Sequence, residues 1–116
     1  MKESDVIIFG TPIYWWGPTA QFKTFFDRFY GINPRGFFKE KYILLVTPFE
    51  SKDRKTSEYT IGMIKTSVEW IGVKEFESFS VPGVANKDDA ANRSGLLKQA
   101  GELGKSLVMK YKKSTK

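Results

Sequence analysis

Residues 5–16, Asp5-Val6-Ile7-Ile8-Phe9-Gly10-Thr11-Pro12-Ile13-Tyr14-Trp15-Trp16, decide what kind of chain this is. From Val6 to Gly10 the run is short, apolar and unalternating, as in a strand buried on both faces of a parallel sheet. Pro12 ends it: its ring fixes its own φ and restricts Thr11 before it, so the loop that follows is stiff. That loop sets a Tyr and two Trp side by side ahead of Gly17-Pro18. Two readings of the three rings stand at this point. Tyr14, Trp15 and Trp16 cap the core under the next helix, or they line a flat ligand beyond the strand end.

Outward from this stretch, the rest of the chain alternates in type. Phe22, Phe25, Phe26, Phe29 and Tyr30 follow helical spacing and form one apolar face, with Pro18 suited to the first turn. Gly31 and then Asn33-Pro34-Arg35-Gly36 are expected to end that helix. Tyr42-Ile43-Leu44-Leu45-Val46-Thr47 is a second continuous apolar strand, stopped by Pro48. A helix follows in which Thr56 or Ser57 is the expected cap, Ile61, Ile64, Val68 and Ile71 the inner stripe, and Gly72 the stop. Lys74 to Val81 alternates and reads as a strand at an exposed edge. Asp88 or Asp89 is the expected cap of a last helix carrying Leu96, Ala100, Leu103, Leu107 and Tyr111. Gly101 and Gly104 in that helix are expected to allow close approach to the sheet. The order is βαβαβα, which implies parallel strands, right-handed crossovers and a three-layer α-β-α arrangement. In such sheets ligands bind beyond the carboxyl ends of the strands, where the aromatic loop sits.

Composition narrows the chemistry. The chain has 116 residues, 41% hydrophobic and 16% aromatic, with no cysteine and no histidine. Disulfides, zinc–thiolate sites, thiol nucleophiles and Ser-His-Asp triads are therefore excluded, and no metal site is expected. Chemistry in such a chain is most simply carried by a cofactor. Four of the six net positive charges are matched by Lys110, Lys112, Lys113 and Lys116, so the basicity is mostly a tail at 110–116 rather than a nucleic-acid surface. The acidic start is no signal peptide and nothing approaches a membrane span, so a cytoplasmic protein is expected.

The stretch from Asp5 to Trp16, followed by Gln21-Phe22-Lys23-Thr24-Phe25-Phe26-Asp27-Arg28, resembles the third strand, flavin loop and next helix of flavodoxin-like NAD(P)H-dependent reductases. That family includes FMN reductases and quinone oxidoreductases. The Pro12-Ile13-Tyr14-Trp15 segment and the Lys23, Asp27, Arg28 pattern carry the likeness, and Ala100, Gly104 and Lys105 extend it to the last helix. The resemblance implies FMN as cofactor, NAD(P)H as hydride donor and a quinone or similar acceptor. It implies that Thr11, Pro12, Ile13, Tyr14, Trp15 and Trp16 wrap the flavin ring, with backbone amides from Ile13 to Trp16 on its polar edge. Thr47 would approach the ring from the next strand, where the family often has Gly-Gly and this chain has Pro48-Phe49. Lys23, Asp27 and Arg28 read as a helix-surface brace. No residue is assigned a catalytic proton-transfer role.

A flavodoxin-like sheet has five strands in the order 2-1-3-4-5, and this chain supplies equivalents of the last three. The strand whose loop holds the flavin phosphate has no counterpart, so residues 1–116 read as a single truncated domain. FMN is then expected to bind weakly or only with a partner. The Val6–Gly10 edge is open and apolar, a template for pairing, so a homodimer or a complementary chain is expected there. The alternative function is a non-catalytic remnant serving as an oligomerisation or interaction module.

Overall fold

A computed structural model describes residues 1–115. Three parallel strands, β1 (Val6–Gly10), β2 (Tyr42–Pro48) and β3 (Glu75–Val81), form one sheet in the order β1-β2-β3. Val6 aligns with Tyr42 and Tyr42 with Glu75, so the three strands begin level and their carboxyl ends share one rim. The helices are α1 (Ala20–Asp27), α2 (Pro34–Phe38), α3 (Glu58–Trp70) and α4 (Ser94–Ser114). Three-layer α-β-α, as expected, is the result. Ile7, Phe9, Ile43 and Leu45 pack against Phe22, Phe38, Ile64 and Val68 of α1, α2 and α3 on one face. On the other, Tyr42 and Leu44 pack against Leu107 of α4.

The aromatic stripe after the loop explains the first layer. Phe9 is ringed by Phe22, Phe25, Phe26 and Phe29, with centroids 5.6–6.5 Å away. Such pairs add to area burial by about 0.5–1.5 kcal/mol each. Tyr30 does not join them. The α-helix gives way at Arg28 to a 3-10 turn through Gly31, the angular step changes, and Tyr30 is left exposed. Thr19, not Pro18, starts α1: its hydroxyl accepts from the Phe22 amide at 3.1 Å, and Pro18 lies one residue outside.

Asn33-Pro34 was expected to end a helix and instead begins one. Asn33 accepts from the Gly36 amide at 3.1 Å, and Pro34 occupies the first position of α2, where its lack of an N–H costs nothing. Ser57 precedes α3 without capping it, because its hydroxyl is directed to the Arg54 carbonyl and Ser80. Gly72 does stop α3. At φ +88° it lets its own amide reach Glu69 O and the Val73 amide reach Val68 O, which satisfies the last carbonyls.

Three further expectations fail for physical reasons. β1 is not buried on both faces: Ile7 and Phe9 are covered, but Ile8 is 64% exposed, since α4 lies over β2 and meets β1 only near Val6. Asp88 and Asp89 do not cap α4, which starts at Ser94. The Asp89 carboxylate closes the preceding turn by accepting from the Ala85 and Asn86 amides at 2.9 and 2.8 Å, and those amides hold its pKa below the ordinary value. Gly101 and Gly104 allow no close approach, because a Cβ at either would meet open space. The basic tail continues α4 to Ser114, with Lys110 paired to Glu75 and Glu77 of β3. Lys116 lies outside the described residues.

Candidate aromatic site at the strand ends

Beyond β1 the chain folds back on itself within four residues. The Tyr14 amide donates to Gly17 O at 2.9 Å and the Gly17 amide to Tyr14 O at 3.1 Å. Between them, Trp15 and Trp16 have φ of 50° and 61°. Two consecutive left-handed residues make the tightest hairpin turn, a place normally taken by Asn-Gly. For side chains as large as Trp, this backbone costs about 1–3 kcal/mol per residue and persists only where its surroundings enforce it.

The enforcement is visible on both sides of the turn. Thr11 is 1% exposed; its hydroxyl donates to Pro12 O at 2.9 Å and accepts from the Thr19 amide at 3.1 Å, tying the start of the loop to the start of α1. Thr60, in the first turn of α3, donates to the Trp16 carbonyl at 3.2 Å. The loop is thus clamped between two helices while its rings are left outside. Tyr14 is 62% exposed, Trp15 91% and Trp16 53%. None of the three rings belongs to either core cluster of the described residues. The indoles stand 6.2 Å apart at 41°, an open bracket rather than a stack.

The expected site residues divide accordingly. Tyr14, Trp15 and Trp16 come together on the surface, with Pro12 and Ile13 half-buried behind them. The Tyr14 amide is spent inside the turn, whereas those of Trp15 and Trp16 have no acceptor among the described residues. Thr11 serves as a brace. Thr47 is fully buried, its hydroxyl 3.5 Å from Ser80 Oγ. The following Phe49 is buried too, its amide bonded to Val81 O, while the Thr11 amide at the start of the aromatic loop donates to Val46 O at 3.1 Å, so the β2 end is tied to both neighbours. Lys23 and Asp27 form the expected exposed pair on α1, worth at most about 1 kcal/mol. Thr60 was not expected. Its sequence signal is only a small hydroxyl one turn after Ser57, which no motif distinguishes.

A family profile described as a flavodoxin-like fold matches residues 1–103, and the chain belongs to that family. Among its relatives, an iron-sulfur flavoprotein of Archaeoglobus fulgidus is 30% identical over 113 residues, covering 93% of this chain and 47% of the relative. An FMN-dependent NADH:quinone oxidoreductase of Burkholderia thailandensis is 26% identical over 81% of this chain and 52% of its own. One of the same description from Hydrogenovibrio crunogenus is 23% identical over 86% and 55%. The chain therefore spans about half the length of these relatives. A solved structure described as a thermophilic tryptophan halogenase from Streptomycin violaceusniger aligns with a TM-score of 0.58 and 18% identity, over 78% of this chain and 62% of that one. At that identity the likeness concerns the fold alone.

Proposed function

We propose that this chain binds FMN at the aromatic loop and acts as a flavin-dependent NAD(P)H oxidoreductase, or as the flavin-binding portion of one, with a quinone or similar acceptor. The observation that carries the reading is the turn itself: two exposed Trp rings held in a costly backbone, with two unpartnered amides, at the carboxyl rim of a parallel sheet. Strain that surroundings enforce points to function. Flat rings suit a flat heteroaromatic, and the Trp15 and Trp16 amides can donate to carbonyl or ring-nitrogen acceptors along its edge. Bound there, a flavin would supply hydride and electron transfer that no side chain of this chain can. The protein's own part is to hold the ring, orient its edge and shield one side from water. Relatives described as FMN-dependent NADH:quinone oxidoreductases support the same reading. An enzyme drawing on NAD(P)H works where that donor is abundant, in the cytoplasm.

The chain pairs with a second copy or a complementary chain along the Val6–Gly10 edge, where Ile8 offers apolar surface and β1 an open row of backbone groups. Light scattering that reports a well-folded monomer at micromolar concentration overturns that association. For the flavin, the purified protein should absorb in the near-ultraviolet and blue, or take up added flavin with quenching of its fluorescence. Trp15→Ala should weaken flavin binding by about 1–3 kcal/mol, the loss typical of aromatic stacking, with cooperative melting unchanged. A colourless protein that ignores added flavin and captures one specific partner would replace this reading with that of an interaction module.

A further inference from the structure

We infer that a second, basic cleft on the same rim, between the end of β3 and the start of α4, binds a phosphate ester of the ligand whose ring lies on the aromatic loop. The inference rests on the oxidoreductase reading above. The cleft encloses about 350 Å³ and is lined by Arg54, Ser80, Pro82, Arg93 and Gln99, among others. The larger groove between α1 and α3, about 660 Å³, is walled by Phe26, Phe29, Met63 and Trp70 and offers an anion little.

Arg54 comes from the 3-10 turn before α3 and Arg93 from the residue before α4, yet both face this one space. Neither forms an ion pair among the described residues. Two guanidinium groups lining one space favour an anion there, and their planar forks match phosphate oxygens in pairs. Arg93 is already oriented: its Nη1 donates to Pro82 O at 2.8 Å. Asp89 lies near Arg93, but its carboxylate is occupied by the Ala85 and Asn86 amides. The Lys52 side chain borders the same loop, passing Gly83 opposite Arg93. Ser80 and Gln99 add neutral hydrogen-bonding groups. No carboxylate is among the lining residues.

Position connects the cleft to the aromatic loop. β1 and β3 are separated by β2 alone, so their carboxyl ends stand two strand spacings apart, about 10 Å. The start of α3 touches both places: Thr60 holds the Trp16 carbonyl, and Ser57 lies 3.0 Å from Ser80 in the cleft wall. A flat ring joined through a sugar or sugar alcohol to a phosphate is the form of ligand that two places on one rim can share. Both FMN and a nicotinamide dinucleotide have that form, and phosphate is their shared chemistry.

Titrating the full chain with inorganic pyrophosphate, riboflavin, FMN and NADH at low ionic strength tests the assignment. Arg54→Gln is the principal variant, since the exposed Arg54 side chain forms no ion pair; Arg93→Gln is the second. Pyrophosphate should bind about tenfold more weakly to either variant, while the melting temperature and riboflavin affinity of Arg54→Gln stay unchanged. Whichever of FMN or NADH weakens in parallel is the source of the phosphate. Arg-dependent binding of pyrophosphate and NADH by a protein that ignores riboflavin would sustain the cleft while removing the flavin reading. Pyrophosphate binding that is absent, or equal in all three proteins, overturns the inference. So does a loss confined to pyrophosphate, which would leave an anion site unconnected to the loop.

Discussion

β1 and β2 lie side by side and read alike, Val-Ile-Ile-Phe-Gly beside Tyr-Ile-Leu-Leu-Val-Thr, yet they live in different surroundings. β2 is covered on both faces: Ile43 and Leu45 by the α1–α3 layer, Tyr42 and Leu44 by α4, whose Tyr111 ring meets Tyr42 edge-on at 5.8 Å. β1 is covered on one. Ile7 and Phe9 are buried while Ile8, between them, faces solvent. An apolar run thus announces a strand, but the helices laid over it decide how many of its faces are core. Here α4 is anchored over β2 and β3 by Leu107 and by Lys110 with its two glutamates, and it leaves β1 half covered.

Substitutions along the two strands can break this contrast. Leu45→Ala empties a fully enclosed position of β2 and should cost about 2–5 kcal/mol of unfolding free energy in urea titration. Ile7→Val, on the covered face of β1, removes one buried methylene and should cost about 0.5–1.5 kcal/mol. Ile8→Thr, one residue on, should change stability by no more than about 0.5 kcal/mol in a monomer. If it instead costs as much as Ile7→Val, and more so at higher protein concentration, the bare face is covered by another chain in solution, and the contrast belongs to the isolated subunit. Ile8→Lys sharpens the point by placing a charge on the open edge, a device that natural edges use against pairing. It should shift light scattering toward monomer while leaving the melting of that monomer near that of the unsubstituted chain.

Much of the architecture was legible because period and punctuation agree in this sequence. All three strands fall within a residue of their expected bounds, the stripe Ile61, Ile64, Val68 and Ile71 does face the core, and Gly72 does stop α3. What was not legible depends on contacts between distant segments. Asn33-Pro34 carries the same residues whether it ends one helix or begins another, and the burial of Phe38 decides for the second. Asp89 is a competent cap that found nearer amides. In the site, exposure of the three rings could not be read from their identity, since large aromatics serve cores more often than surfaces. The left-handed backbone of Trp15 and Trp16 was hidden for a further reason: the residues that usually signal it, Gly and Asn, are absent from both positions.

The exposed indoles also make the loop its own optical sensor. All three tryptophans of this chain are at the surface, Trp15 and Trp16 in the turn and Trp70 at the end of α3 with the Arg35 guanidinium 4.5 Å over its ring. In the free protein their emission should therefore be that of water-bathed indole, red-shifted and open to soluble quenchers. Any flat molecule seated on the turn would displace that water from two of the three emitters at once, moving the spectrum to the blue and closing it to iodide. Trp70, outside the turn, would remain as the unmoved background.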